Sequence, residues 1–365
     1  MKKILLIFYV ILLIYGSDGR RKSKKRLRET SSEVSSYRNL DLRGRLRKSL
    51  FVINALENLA QNTICSPMSA LLPIGKLALG ARNTTLEELL EGVGVISQQK
   101  IKPHFKRLIA ELRYLPGVKL DLASRLYIDQ HAKLVSSFES EAKEIFNSSV
   151  VKADFESPVI TADKINAWVE SQTADMIHDM ISPDDISPDS SVIMINAIYF
   201  NGKWAMPFHN IQTSTFHTPS DVRRILMMST TGLFNYTESG ALDSQILKLP
   251  YVGGVASLII VLPKARNGLP LLLSQIKLAP EILDSALAAF WETTLQVTIP
   301  KFKISAEMDL RKLYERIGIK RMFNAQESGL SNIVREKTVF VSKAKQKAVI
   351  DVNERGTEAS AATCE

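Results

Sequence analysis

With two cysteines and five histidines in 365 residues, the chain has little from which to build a disulfide framework or a metal centre. The histidines, at positions 104, 131, 178, 209 and 217, follow no ligand spacing such as HExxH. No GxSxG nucleophile elbow and no glycine-rich phosphate loop occurs. A hydrolase of that type and a nucleotide-dependent enzyme are therefore not indicated, and no cofactor is expected. Glycine (17) and proline (14) are sparse and no tract is of low complexity, which excludes collagen-like and linker-like chains. The one long apolar run, residues 4–15, is shorter than the roughly 18 residues a membrane-spanning helix needs.

What is present describes a folded protein, 45% hydrophobic and 23% charged, long enough for one large domain or two smaller ones. Residues 1–19 read as a secretory signal: Lys2 and Lys3 precede the apolar run, and Gly16, Ser17 and Gly19 follow it as small cleavage-site residues. The expected mature protein is secreted and extracellular. Two free thiols are expected, Cys65 in an apolar stretch and Cys364 in an exposed tail. Asn83, Asn147 and Asn235 each begin a glycosylation triplet.

Residues 20–48 form a basic arm. Arg20, Arg21, Lys22, Lys24, Lys25, Arg26, Arg28, Arg38, Arg43, Arg45, Arg47 and Lys48 face only Glu29, Glu33 and Asp41, and this arm accounts for the net charge of +9. The cluster from Arg20 to Arg28 could hold a polyanion such as a sulfated glycosaminoglycan through salt-sensitive contacts. It could equally be a dibasic processing site or a solvated extension. The remaining residues, 49–365, are close to neutral and make up the folded domain.

Within that domain, residues 51–60 have helical spacing, and residues 70–79 form a second apolar helix with Pro73 placed at its first turn. Thr85 and Glu88 have the spacing of a capping box that starts a short helix through Glu91. Residues 101–115 read as a helix carrying Lys102, Lys106, Arg107 and Arg113. Residues 163–181 read as an amphipathic helix with Ile165, Trp168, Val169, Met176, Ile177 and Met180 on one side, lying across a sheet. VIMINAIYF, 192–200, is apolar on both alternate sets except at Asn196, the pattern of a strand buried on both faces. Strands are expected at 256–263, 295–304 and 338–352, and a short helix at 309–317.

Near its end the chain carries ERGTEASAAT, 354–363. Glu354 is followed by Gly356, which can pivot, and by Thr357, Glu358, Ala359, Ser360, Ala361, Ala362 and Thr363. The alternate set Thr357, Ala359, Ala361 and Thr363 is uniformly small. A strand points alternate side chains to one face, so this set could slide into a packed sheet without displacing anything. A flexible small-residue tail is the other reading of the same composition.

Six stretches in order, ICSPMS (64–69), NAIYFNGKW (196–204), LKLPY (247–251), ASLIIVLP (256–263), IPKFKI (299–304) and VNERGTEASAAT (352–363), resemble the serpin family. The resemblance implies an α+β fold of three β-sheets, a central sheet A among them, with eight or nine helices. It also implies inhibition of a serine protease. A loop is cleaved, the protease is held as an acyl-enzyme, and the loop inserts into the central sheet.

Position by position, the resemblance places the reactive-loop hinge at 354–363 and a polar sheet-opening site at Ser66, Ser69, Asn196 and Gln346. An upper hinge contact falls at Trp204, Lys301 and Glu354. Two positions depart from the family. Gln346 stands where a histidine is usual, which removes a pH-dependent charge, and Ser124 stands where asparagine is common.

By this resemblance the scissile bond and the last strands of a second sheet fall beyond Glu365, so the domain ends within the hinge. An incomplete chain, an inactive truncated isoform, a cleaved fragment and a non-inhibitory carrier or polyanion-binding protein are the competing readings of that ending. The 365 residues alone are expected to expose unpaired sheet edges and to aggregate. The expected partners are a serine protease and, through the arm, a polyanion. Neither nucleic-acid binding nor a membrane span is expected, and a complete chain is expected to be a monomer.

Overall fold

The computed structural model describes residues 7–9, 62–113, 115–146, 150–218, 221–335 and 338–357. The basic arm, the helix expected at 51–60, Asn147, Cys364 and the hinge residues 358–363 lie outside the described residues.

The described helices are α1 (Pro67–Gly80), α2 (Asn83–Val93), α3 (Ile101–Arg113), α4 (Ser136–Phe146), α5 (Pro158–Gln172), α6 (Leu269–Leu278), α7 (Glu281–Leu287) and α8 (Leu310–Arg316). The strands are β1 (Ile7–Tyr9), β2 (Val118–Asp129), β3 (Lys133–Leu134), β4 (Val150–Ala153), β5 (Val192–Lys203), β6 (Asn210–His217) and β7 (Val222–Ser239). They continue with β8 (Ser244–Pro250), β9 (Ser257–Pro263), β10 (Trp291–Pro300), β11 (Phe302–Asp309), β12 (Val334–Arg335), β13 (Val341–Val352) and β14 (Gly356–Thr357).

Among the described residues the strands form three sheets. The central one runs β11-β13-β14-β5-β2-β4 and is mixed, with β13 parallel to β5 and β2 antiparallel to it. A second sheet runs β1-β9-β8-β7-β10, with β6 also on β7, and the third is the short ribbon β3-β12. β1 lies inside the segment read as a leader and pairs antiparallel with β9 at Ile259, Ile260 and Val261. Cleavage after residue 19 would remove it and leave β9 as an edge.

β5 is buried along nearly its whole length because both faces are covered. Ile193, Ile195 and Ala197 pack against Ile165 and Val169 of α5, while Val192 and Met194 join the core under Ile74 and Leu77 of α1. Asn196 shares the second alternate set and therefore points to the α1 side.

Four local expectations are corrected. Pro73 lies in the interior of α1, whose start is set instead by Ser66 as N-cap and Pro67 in the first turn. The Thr85–Glu88 capping box does not form. α2 begins earlier, at Asn83, and its N-cap Arg82 makes no side-chain cap. Thr85 instead donates to the Glu327 carbonyl and Glu88 accepts from the Lys320 and Arg321 amides. α5 covers Pro158–Gln172 and stops before Met176, because Ala174, Asp175 and Asp179 take left-handed conformations. Ile177 and Met180 are still buried, so the apolar periodicity reported burial correctly and helix extent wrongly. Finally, the strand expected at 295–304 is two strands, β10 and β11, separated by Lys301 at the junction of the two large sheets.

Candidate functional site: a hinge strand entering the central sheet

A tight turn follows β13. The Asn353 amide donates to the Gly356 carbonyl (2.9 Å), and Asn353 Oδ1 accepts from the amides of Arg355 (2.9 Å) and Gly356 (3.1 Å). The asparagine side chain thus closes the turn locally. The returning chain is β14, wedged between β13 and β5, with Thr357 opposite Val352 on one side and Gly202 on the other. Gly356 is required by space and not by an unusual torsion, since a Cβ there would strike the Gly202 carbonyl oxygen. In this conformation Gly356 serves as a close-approach residue.

Trp204 holds this turn in place. Its indole Nε1 donates to the Asn353 carbonyl and its backbone amide to the Arg355 carbonyl, each at 2.9 Å, while the Phe208 amide donates to the Glu354 carbonyl at 2.9 Å. The indole stacks on Tyr251 with centroids 4.6 Å apart and planes 12° from parallel. Lys301 Nζ reaches Glu354 Oε2 at 2.9 Å, and this contact holds the Glu354 carboxyl below the ordinary glutamate range. Trp204, Lys301 and Glu354 are therefore brought together around this turn.

Ser66, Ser69, Asn196 and Gln346 converge lower in the sheet. Gln346 Oε1 accepts from the Ser66 amide (2.9 Å) and Gln346 Nε2 donates to the Ser66 carbonyl (3.1 Å), a two-point clamp between β13 and the start of α1. Ser66 Oγ accepts from the Ser69 amide at 3.3 Å. Asn196 stands opposite Gln346 in β13 and opposite Ser124 in β2. Its side-chain amide is fully buried and, among the described residues, neither Asn196 Nδ2 nor Oδ1 nor Ser69 Oγ has a hydrogen-bond partner. The clamp is made by Gln346 with the backbone, not with Asn196.

On the opposite face of β13, Lys343 and Lys345 both reach Asp185 at 2.6 Å, and Lys347 donates to the carbonyls of His178 (2.7 Å) and Asp179 (3.1 Å). Burial pushes the Asp185 carboxyl up, but the hydrogen bonds from the two lysines outweigh it and leave the group far below the carboxylate range. These three lysines strap the segment after α5 across the sheet.

Other candidates fall outside this site. Lys102 and Lys106 of α3 both pair with Glu144, at 2.8 and 2.7 Å, and hold that carboxyl down to about 2. Two of the four α3 cations are thereby spent on an intramolecular carboxylate. His178 makes an exposed contact to Glu170 at 3.1 Å. Cys65 is a free thiol, half-buried at the core edge, with its ionisation pushed up by burial. Asn83 is exposed at the start of α2, whereas Asn235 is half-buried within β7 between β8 and β10.

Sequence reasoning missed Tyr251, Gly202, Asn353 and Phe208 as parts of the hinge. Tyr251 Oη lies 2.7 Å from Thr357 Oγ1, and both side chains are fully buried. The available signal for Tyr251, Gly202 and Asn353 was their place in LKLPY, NGKW and VNE, and for Phe208 its place four residues after Trp204.

The family model described as "Serpin (serine protease inhibitor)" matches residues 47–365. Antichymotrypsin-2 of Bombyx mori is 34% identical over 308 residues, 84% of this chain and 82% of that protein. Alaserpin of Manduca sexta is 31% identical over 367 residues, covering 99% and 90%. Among solved structures, Serpin48, described as a highly specific serpin of the insect Tenebrio molitor, superposes with a TM-score of 0.81 at 30% identity over 90% of each chain. Thyroxine-binding globulin in complex with thyroxine shares the fold at 24% identity, with a TM-score of 0.80, over 88% of this chain and 89% of that one. No described helix is long and apolar enough to cross a membrane. The chain belongs to the serpin family.

Proposed function

We propose that this protein is a secreted serpin that traps a serine protease by drawing its own cleaved loop into the gap between β5 and β13. The attacking serine oxygen bonds to a loop carbonyl carbon, the peptide C–N bond breaks, and the amine leaves with a proton as the new N-terminus. The ester that remains ties the protease to the upstream side of the loop. Insertion then carries the protease away from the point of cleavage.

The observation that carries this reading is Thr357. It is already paired with both neighbouring strands, and its side chain, the first of the uniformly small set, is fully buried. A loop inserted in the registers that Thr357 begins would set Ala359 between Phe200 and Ile350, Ala361 between Ile198 and Ala348, and Thr363 between Asn196 and Gln346. Insertion past Ala359 must separate the existing β13–β5 pairs, beginning with Ala348 and Ile198. Each new residue then bonds two strands where one pairing existed before. The route ends at the buried Asn196 amide, where the Thr363 hydroxyl supplies a polar partner.

A secreted site of action rests on the leader-like residues 1–19, and the names of the silkworm and hornworm relatives fit an inhibitor. The arm residues Arg20 to Arg28 are assigned to an accessory polyanion contact, and of the two described triplet asparagines Asn83 is more exposed to a glycan than Asn235.

The test uses the natural secreted product with proteases of trypsin-, chymotrypsin- and elastase-like specificity. One of them is expected to form a complex that survives denaturing electrophoresis, and Thr357→Arg is expected to convert that inhibitor into a cleaved substrate. No complex with any of them, or an unchanged complex in Thr357→Arg, would overturn the reading.

A further inference from the structure

The chain reverses where α5 ends, and the reversal gathers three metal-binding side chains outside the hinge. Thr173 sets the turn: its buried hydroxyl donates to the Val169 carbonyl at 2.8 Å and accepts from the Ile177 amide at 3.3 Å. The Asp175 amide returns to the Glu170 carbonyl at 3.0 Å, with Ala174 and Asp175 in the left-handed conformation. Glu170, on the last turn of α5, is thereby brought against Asp175 and His178. The steps from Glu170 to Asp175 to His178 match no single helix or strand period, because they cross the helix end.

His178 Nδ1 lies 3.1 Å from Glu170 Oε1 and 4.0 Å from Asp175 Oδ1, and all three ligand atoms fall within 4.8 Å of one another. A proton on Nδ1 reaches Glu170 at hydrogen-bond distance, whereas the Asp175 oxygen is too far away to share it. A divalent cation has no such limit, since it takes a lone pair from each ligand. Nitrogen and oxygen ligands about 2.0–2.2 Å from a tetrahedral zinc ion stand about 3.3–3.6 Å from each other. The Glu170–His178 separation is already close to that, and the Asp175 side chain, 81% exposed, can close the rest by rotation. The backbone behind the imidazole is held, because Ile177 is buried and Lys347 donates to the His178 carbonyl at 2.7 Å.

We propose that Glu170, Asp175 and His178 bind a divalent transition-metal ion of the zinc type, with water completing its coordination. One imidazole with two carboxylates favours zinc over magnesium and calcium, which prefer oxygen ligands alone. The bound ion ties the end of α5 to the strap that Lys347 holds across β13, and so stiffens residues 173–181. The site is independent of the hinge and of protease trapping.

The test is calorimetric titration of the metal-stripped full chain with zinc chloride, with magnesium and calcium chlorides as comparison probes. Zinc is expected to saturate a site that neither comparison ion fills at the same concentration. His178→Ala and Asp175→Asn should each weaken that site about tenfold or more. Both side chains are exposed, so the variants should fold. Hydrogen exchange of residues 173–181 should slow on zinc addition in the parent protein and not in His178→Ala, which separates this site from zinc held by other histidines. Absence of saturable zinc binding, equal binding of magnesium, or an unchanged zinc affinity in His178→Ala would overturn the proposal.

Discussion

Thr357 Oγ1 and Tyr251 Oη lie 2.7 Å apart, and both side chains are wholly excluded from solvent. This hydroxyl pair ties the first inserted residue of the hinge to the aromatic stack of Trp204 and Tyr251. Burial pushes the Tyr251 phenol up, so it stays protonated across the physiological range. Tyr251→Phe and Thr357→Val should each destabilise the protein by about 1–3 kcal/mol by leaving one buried hydroxyl unpaired. The double variant should lose less than the sum. Urea unfolding of the four proteins measures the coupling; additive losses would show that the pair is not a working contact.

The Lys301–Glu354 contact has a pH signature of definite sign. Lys301 lowers the Glu354 pKa, so through the carboxylate range the folded state binds fewer protons than the unfolded one. The stabilisation is present above the ordinary glutamate value and is lost as pH falls through the lowered one. The pair is partly solvated, so the effect should stay below about 1 kcal/mol. Glu354→Gln should flatten that part of the stability curve between pH 3 and pH 6, measured as the urea midpoint.

Gln346 carries no charge that titrates near neutrality, and sheet opening should therefore be insensitive to pH between 5 and 8. Gln346→His should introduce such a dependence. Gln346→Ala, which leaves both Ser66 backbone groups without their partner, should cost about 1–3 kcal/mol. Hydrogen exchange in β13 and β5 as a function of pH distinguishes these variants.

Asp185 joins Lys343 and Lys345 and so fixes the strap over β13. Its lowered pKa contributes stability above the ordinary aspartate value that is lost as pH falls below it. Asp185→Asn should destabilise the neutral protein by about 1–3 kcal/mol and speed hydrogen exchange in β13. Unchanged exchange would mean the strap does not restrain the sheet.

Much of this was legible in the sequence where local pattern and tertiary environment agree. VIMINAIYF reads as a doubly covered strand and is one, because burial on both faces removes any need for alternation. Asp309 predicts a helix start and caps α8 through the Arg311 amide at 2.9 Å. The failures are places where a side chain serves a distant partner. Thr85 and Glu88 have the spacing of a local cap, yet both are drawn to residues 320–327. Met176 to Met180 continue a helical period after backbone geometry has ended the helix. In the hinge, small side chains signalled insertion, whereas the place of Tyr251 at the end of LKLPY gives its role only once it is known to pack over Gly202.

The central claim, that the gap between β5 and β13 accepts a strand of small alternate side chains, is tested most directly by peptide annealing. The protein is incubated with a synthetic peptide of the sequence TEASAAT, residues 357–363, and with one carrying arginine at the four inward positions, and its melting temperature is followed. The native peptide should raise the melting temperature and the arginine peptide should not. Equal effects of the two peptides, or no effect of the native one, would contradict the account.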